Sequence, residues 1–165
     1  MTFIEKSPEA NVTGTGDFDF FVGSWNGVQR RRKAWLADCE EWTEFTSTTR
    51  CWQMFGGAAN VDEVIFPELG LSGLSVRLLD PATGDWSIYW ASSRDGILGL
   101  PPVIGRFESG IGQFYCDEVL DGRAIRTRFT WSGITPDTAH WEQAFSPDGG
   151  QTWETNWTAD FRRPS

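Results

Sequence analysis

Apolar and polar residues alternate with a period of two through most of the chain. The pattern is plain in Trp42–Trp52, where "WTEFTSTTRCW" combines alternation with threonines whose β-branching disfavours helix. The same grammar predicts strands over Asn60–Phe66, Ser75–Leu79, Trp86–Ser92, Val103–Phe107, Gln113–Glu118, Ala124–Trp131, Thr138–Phe145 and Trp153–Phe161. Their separators, "DPATGD", "ESGIG", "LDGR", "SGITPD" and "SPDGGQT", supply the Gly, Asp and Pro that tight turns need. A further strand opens at "GSWNG", after a Phe18–Val22 segment that is either a short helical turn or an extended stretch covering one end of the fold. Only Lys33–Glu41 has room for a short helix.

Nine or ten antiparallel strands in chain order predict an all-β fold, an up-and-down barrel whose closure removes exposed sheet edges. Residues 1–16, with Pro8, Gly14 and Gly16 among small polar groups, form an irregular lead-in, and residues 17–163 one barrel domain. A chain of 165 residues is long enough to bury a substantial core.

Phase within the strands separates inside from outside. Trp86, Ile88 and Trp90 share one face, as do Ile125, Phe129 and Trp131, then Trp141 and Phe145, then Trp153, Trp157 and Phe161. The alternate positions hold Arg126, Arg128, Glu142, Glu154, Asn156 and Asp160, so the aromatic faces are the expected interior. Such a set of rings either fills a packed core or lines a cavity for an apolar or aromatic ligand. Trp90, Trp131, Trp141 and Trp157 are the principal candidate ligand contacts, with Tyr89 and Arg94 as secondary ones.

Charge and composition narrow the partners. The net charge of −9 repels phosphate backbones and anionic membranes, which argues against nucleic-acid or membrane binding. The basic run Arg30–Lys33 is followed by Glu40, Glu41 and Glu44 and reads as a salt-laced surface strand. Cys39, Cys51 and Cys116 lack metal or disulfide spacing and suit a reducing cytoplasm; the N-terminal segment has no export-signal pattern, and no window is apolar enough to span a membrane. Nothing implies a metal or a cofactor.

Two loops are candidate rims of an open end. "SSRDGILGLPPVIG" at Ser92–Gly105 carries two stiffening prolines, and "FGGAANVDEVIF" places Asn60, Asp62 and Glu63 near a pocket mouth. Cys116 reads as a buried, inert thiol.

The segments "FDFFVGSWNG", "LLDPATGDWSIYW" and "WEQAFSPDGGQTWETNW" together resemble a bacterial family of calycin-like or lipocalin-like proteins described as a domain of unknown function, over roughly Asp17 to Arg163. The resemblance implies that Gly23 and Trp25 form the Gly-x-Trp of the first strand. The indole would lie across the closed end, and Arg162 or Arg163 would pack over it. Haem-binding relatives use a C-terminal histidine; here the single histidine, His140, shares its face with Glu142 and suits the surface better.

Three functions follow. The leading one is binding of a small hydrophobic or aromatic molecule in a Trp-lined cavity. A second is an isomerase or cyclase that uses an Arg/Tyr pair in that cavity. The third is an interaction barrel without ligand, working through a homodimer or another protein partner.

Overall fold

The computed structural model describes residues 12–165, so the lead-in expected over residues 1–16 lies mostly outside the described residues. From Thr13 the chain turns into a short 3₁₀ helix, Asp19–Phe21, which settles the conformation of the phenylalanine-rich entry segment. Ten strands follow: β1 Gly23–Arg32, β2 Trp42–Met54, β3 Ala59–Phe66, β4 Leu71–Leu79, β5 Trp86–Ser92, β6 Val103–Glu108, β7 Ile111–Leu120, β8 Arg123–Ser132, β9 Thr138–Ser146 and β10 Glu154–Arg162. Each pairs antiparallel with its neighbours in sequence, and β1 closes the barrel on β10 with Gly27 opposite Phe161. The fold is therefore a closed, ten-stranded, calycin-like up-and-down barrel.

The two ends differ. At one end the 3₁₀ segment tucks Phe18 and Phe21 beneath Trp25, Trp86, Phe114, Trp131 and Phe161, a cluster of edge-to-face and stacked rings with almost no solvent exposure. This plug closes the barrel. The other end carries the β1–β2, β3–β4, β5–β6, β7–β8 and β9–β10 connections, and a smaller cluster of Phe45, Val64 and Phe66 lies nearer to it.

Three local expectations are corrected. Lys33–Glu41 forms no helix, because Leu36 and Asp38 take positive φ values of 53° and 50°. Side-chain bonds tie the segment down instead: the Arg32 guanidinium donates to the carbonyls of Cys39 and Thr155, and Leu36 N–H donates to Glu154. The second correction concerns β10, whose register shifts at Asn156. That bulge turns Trp157 inward and leaves Trp153 outside, 4.3 Å from the Arg128 guanidinium and beside Tyr115. Asn156, expected outside, is fully buried and accepts a hydrogen bond from Gln143. Third, the Phe55–Gly57 turn belongs to the plugged end rather than to an open rim, so Asn60 and Asp62 sit deep in the barrel and Glu63 faces outward.

Candidate functional site

A cavity of about 270 Å³ lies between the aromatic plug and the open end. Strand alternation brings residues from around the barrel to its wall: Phe66 from β3, Ile88 and Trp90 from β5, Phe129 and Trp131 from β8, Trp141 from β9 and Trp157 from β10. Trp157 is the pivot. Its ring packs edge-on to Trp141 at 5.9 Å and to Trp90 at 6.5 Å, and its indole N–H donates to Gln29 Oε1 at 2.8 Å. Gln29 in turn donates to Ser47 Oγ, which fixes the amide and with it the ring. Gly73 makes room for Trp90, since a Cβ there would stand 1.9 Å from the end of the indole.

The β5–β6 connection completes the wall. Only Trp86–Ile88 pair with Val103–Gly105, so the barrel seam between these strands is short, and Gly99, Leu100 and Pro101 fold over the opening it leaves. The loop over Ser92–Gly105 thus lies at the open end.

The floor is polar. Arg77 on β4 and Asp62 on β3 form a buried ion pair at 2.5 Å, and the same guanidinium nitrogen donates to Asn60 Oδ1 at 3.0 Å. Phe18, Phe21 and Trp131 surround the guanidinium carbon at 5.2–5.6 Å from their ring centroids, so the cation is held by one carboxylate and three π faces. Burial pushes the Asp62 carboxyl above its usual range, and Arg77 pulls it back. Arg77 Nε and Thr49 Oγ1, from two residues of the cavity wall, have no protein hydrogen-bond partner.

On the opposite wall Cys116 and Glu118 face inward with Thr127, which donates to Glu118 at 2.7 Å. Cys116 therefore borders the cavity instead of a dry core. Burial, reinforced by Glu118, pushes its thiol up to about 12, which keeps it protonated and unreactive at neutral pH.

The four candidate tryptophans, Trp90, Trp131, Trp141 and Trp157, all border the cavity, with Trp131 at its floor. Tyr89 does not: it pairs with Val76 on the outer face. Tyr115, the only other tyrosine in the chain, also points outward and donates to Gln113. The expected Arg/Tyr catalytic pair is thus absent from the cavity wall, because alternation sends both phenols to the exterior. Arg94 sits on the exposed β5–β6 loop beside the mouth, while Arg106, Arg126 and Arg128 lie outside, against Asp85, Tyr115 and Trp153. His140 is on the outer face as well, 2.8 Å from Asp160 and 3.5 Å from Glu142.

At the closed end the Arg163 guanidinium lies 3.8 Å from the centroid of Trp25 and donates to the carbonyls of Phe20 and Ser24. Arg162 is exposed and pairs with Asn26 on the outside, so Arg163 is the residue over the indole. Gly23 has φ 105°, and a Cβ there would stand 2.8 Å from Arg163, which explains the glycine two residues before Trp25.

Sequence reasoning missed the polar floor and one cation at the mouth. Arg77, Glu118, Gln29 and Gln143 line the cavity, and Arg31 stacks on Trp157 with its guanidinium 5.2 Å from the ring centroid. The available signal was phase: Ser75 and Arg77 alternate with Leu74, Val76 and Leu78, so β4 is polar toward the cavity and apolar outside.

No protein-family model and no curated protein matches this chain. Among solved structures, the S-type phycobiliprotein lyase CPES from Guillardia theta is similar over 90% of this chain and 91% of its own, with a TM-score of 0.52 and 14% sequence identity. That likeness is one of fold, and with the closed antiparallel sheet it defines the class at that level: a calycin-like up-and-down β-barrel.

Proposed function

We propose that the protein binds a small hydrophobic or aromatic molecule inside its barrel. The observation that carries this reading is the Trp90–Trp157–Trp141 arrangement, in which Trp157 stands edge-on to both other indoles and all three border a cavity that is covered by one loop and floored by a buried polar cluster. Flat rings supply large apolar contact area, and a few fixed polar groups give orientation, the usual composition of a small-molecule pocket. The solved neighbour is described as a phycobiliprotein lyase, and at 14% identity it supports the barrel rather than that activity. Free cysteines at positions 39, 51 and 116 fit a reducing, cytoplasmic setting.

Titration with N-phenyl-1-naphthylamine, a neutral aromatic probe, tests the reading. It predicts saturable 1:1 quenching of tryptophan fluorescence with matching probe enhancement, abolished or strongly weakened in Trp157→Ala. Absence of saturation across a panel of neutral aromatic and aliphatic probes would overturn it.

A second reading, the self-associating barrel, has one observation in its favour. Trp52, Leu74, Leu78 and Ile104 are each more than a third exposed on the outer face of β2–β6, where Val61 and Val76 join them in register. Light scattering of wild type and Leu74→Asp tests it: a dimeric mass that falls to the monomer in the variant supports a homodimer, and a monomeric wild type excludes it.

A further inference from the structure

The open end carries a second recess of about 250 Å³, lined by Arg31, Arg32, Lys33, Thr43, Phe45, Leu69 and Arg94. Four cations and no acidic side chain line it, in a protein whose net charge is −9. Two of the four are neutralised nearby: Arg32 pairs with Glu40 at 3.4 Å, and Lys33 with Glu41 at 3.1 Å. Arg31 and Arg94 differ, for neither guanidinium has a carboxylate or hydrogen-bond acceptor among the described residues.

Two like charges converge there, with burial and then the neighbouring Arg94 holding the Arg31 guanidinium below its ordinary value. Like-charged side chains brought together cost free energy unless an anion lies between them, and guanidinium groups match carboxylate and phosphate oxygens in a bidentate geometry.

The recess is continuous with the cavity in its building blocks. Arg31 stacks between Trp35, at 5.4 Å, and Trp157, at 5.2 Å, and Trp157 is a wall of the cavity. Phe45 lines the recess and packs on Phe66 and Trp157, both of which line the cavity. The β5–β6 loop contributes Arg94 to one and Leu100 to the other. Trp157 thus lines the cavity and packs on two residues that line the recess.

Resting on the reading of the cavity as a ligand site, we infer that the ligand is an amphipathic anion, with a ring-bearing apolar body against Trp90, Trp141 and Trp157 and its carboxylate or phosphate group held between Arg31 and Arg94. The tryptophans supply affinity for the body. The arginines select for charge and fix which end faces the mouth.

Displacement of bound N-phenyl-1-naphthylamine by three matched competitors tests this: 1-naphthylacetate, 1-naphthyl phosphate and the neutral 1-naphthylacetamide. At low salt one or both anions should compete at least about tenfold more tightly than the amide, the worth of one hydrogen bond to a charged group. Whichever anion leads identifies the head group as carboxylate or phosphate. In Arg94→Met, a change on an exposed loop, the preference of anion over amide should fall to threefold or less, and Arg31→Lys should retain part of it. Equal competition by anions and amide would overturn the inference and leave the cavity reading standing. Saturable binding of inorganic phosphate that changes none of the naphthyl affinities would also overturn it, by making the recess an independent site. Failure of the neutral probe itself to bind is the separate result that removes the cavity reading.

Discussion

Breaking the Asp62–Arg77 pair tests the most consequential feature of the cavity floor. Both side chains are 4% exposed, so either partner left alone is an uncompensated buried charge, a defect worth about 3–5 kcal/mol. In Asp62→Asn the three rings around Arg77 continue to stabilise the cation, which places the cost toward about 3 kcal/mol. For a chain of this size that corresponds to a loss of about 6–12 °C in Tm. Arg77→Met strands the carboxylate instead. Burial raises the Asp62 pKa above its unfolded value, so the folded state holds that proton more tightly, and stability is kept at low pH and lost as pH rises through the raised value. The Arg77→Met deficit should accordingly be smaller at pH 5 than at pH 8. The double variant Asp62→Asn/Arg77→Met removes both charges and leaves the buried Asn60 amide and Ser75 hydroxyl without their charged partners, a cost of about 1–3 kcal/mol. Urea unfolding of wild type, both single variants and the double variant gives the coupling directly. Single-variant costs that add to within about 0.5 kcal/mol in the double variant would refute the reasoning.

Gly73→Ala should force the Trp90 indole out of its slot and toward the cavity, weakening N-phenyl-1-naphthylamine binding by roughly tenfold, equivalent to about 1.4 kcal/mol of overpacking; fluorescence titration reads it. Arg163→Met removes the cation over Trp25 and the donors to three carbonyls, those of Phe20, Ser24 and Pro136, and should lower stability by about 2 kcal/mol in urea unfolding without changing probe affinity, because the cavity lies on the other side of the plug. Asp148 organises the β9–β10 loop by accepting from Ser146, Gln151 and Thr152, bonds that hold its carboxyl down to about 2. The folded value lies below the unfolded one, so this contribution is complete above about pH 4 and lost as pH falls through about 2. The Tm gap between wild type and Asp148→Ala should close over that range in acid thermal melts.

The barrel is legible in the sequence wherever an apolar interior meets a polar exterior. β5, β8 and β9 largely follow that rule, and β2, which buries Ser47 and Thr49 and exposes Trp52, is marked by its alternation and β-branched threonines, so all four are located to within two residues at either end. β4 breaks it. Its start was missed by four residues because Gly73 reads as a turn residue, whereas here it clears space for Trp90. Its inward face holds Ser75 and Arg77 while Leu74 and Leu78 meet solvent, since the centre of the barrel is a polar-floored cavity rather than a dry core. A hydrophobicity pattern alone assigns such a strand the wrong way round. Arg31 was hidden differently, within a run of four basic residues of which alternation turns it toward Trp157 while Arg30 pairs outside with Glu44. The inversion of Trp153 depends on a single bulge at Asn156, and nothing local in "WETNW" announces it.

The central claim is that a small apolar molecule occupies the space between Trp90, Trp141 and Trp157. Two-dimensional ¹H–¹⁵N spectra resolve the indole N–H groups of the ten tryptophans, each assigned by single Trp→Phe substitution. On titration with N-phenyl-1-naphthylamine, the account predicts saturable ring-current shifts at Trp90, Trp141 and Trp157, a smaller one at Trp131 on the floor, and none at Trp42, Trp52 or Trp153 on the outer surface. Shifts confined to Trp52 and its neighbours, with the cavity indoles unmoved, would contradict it.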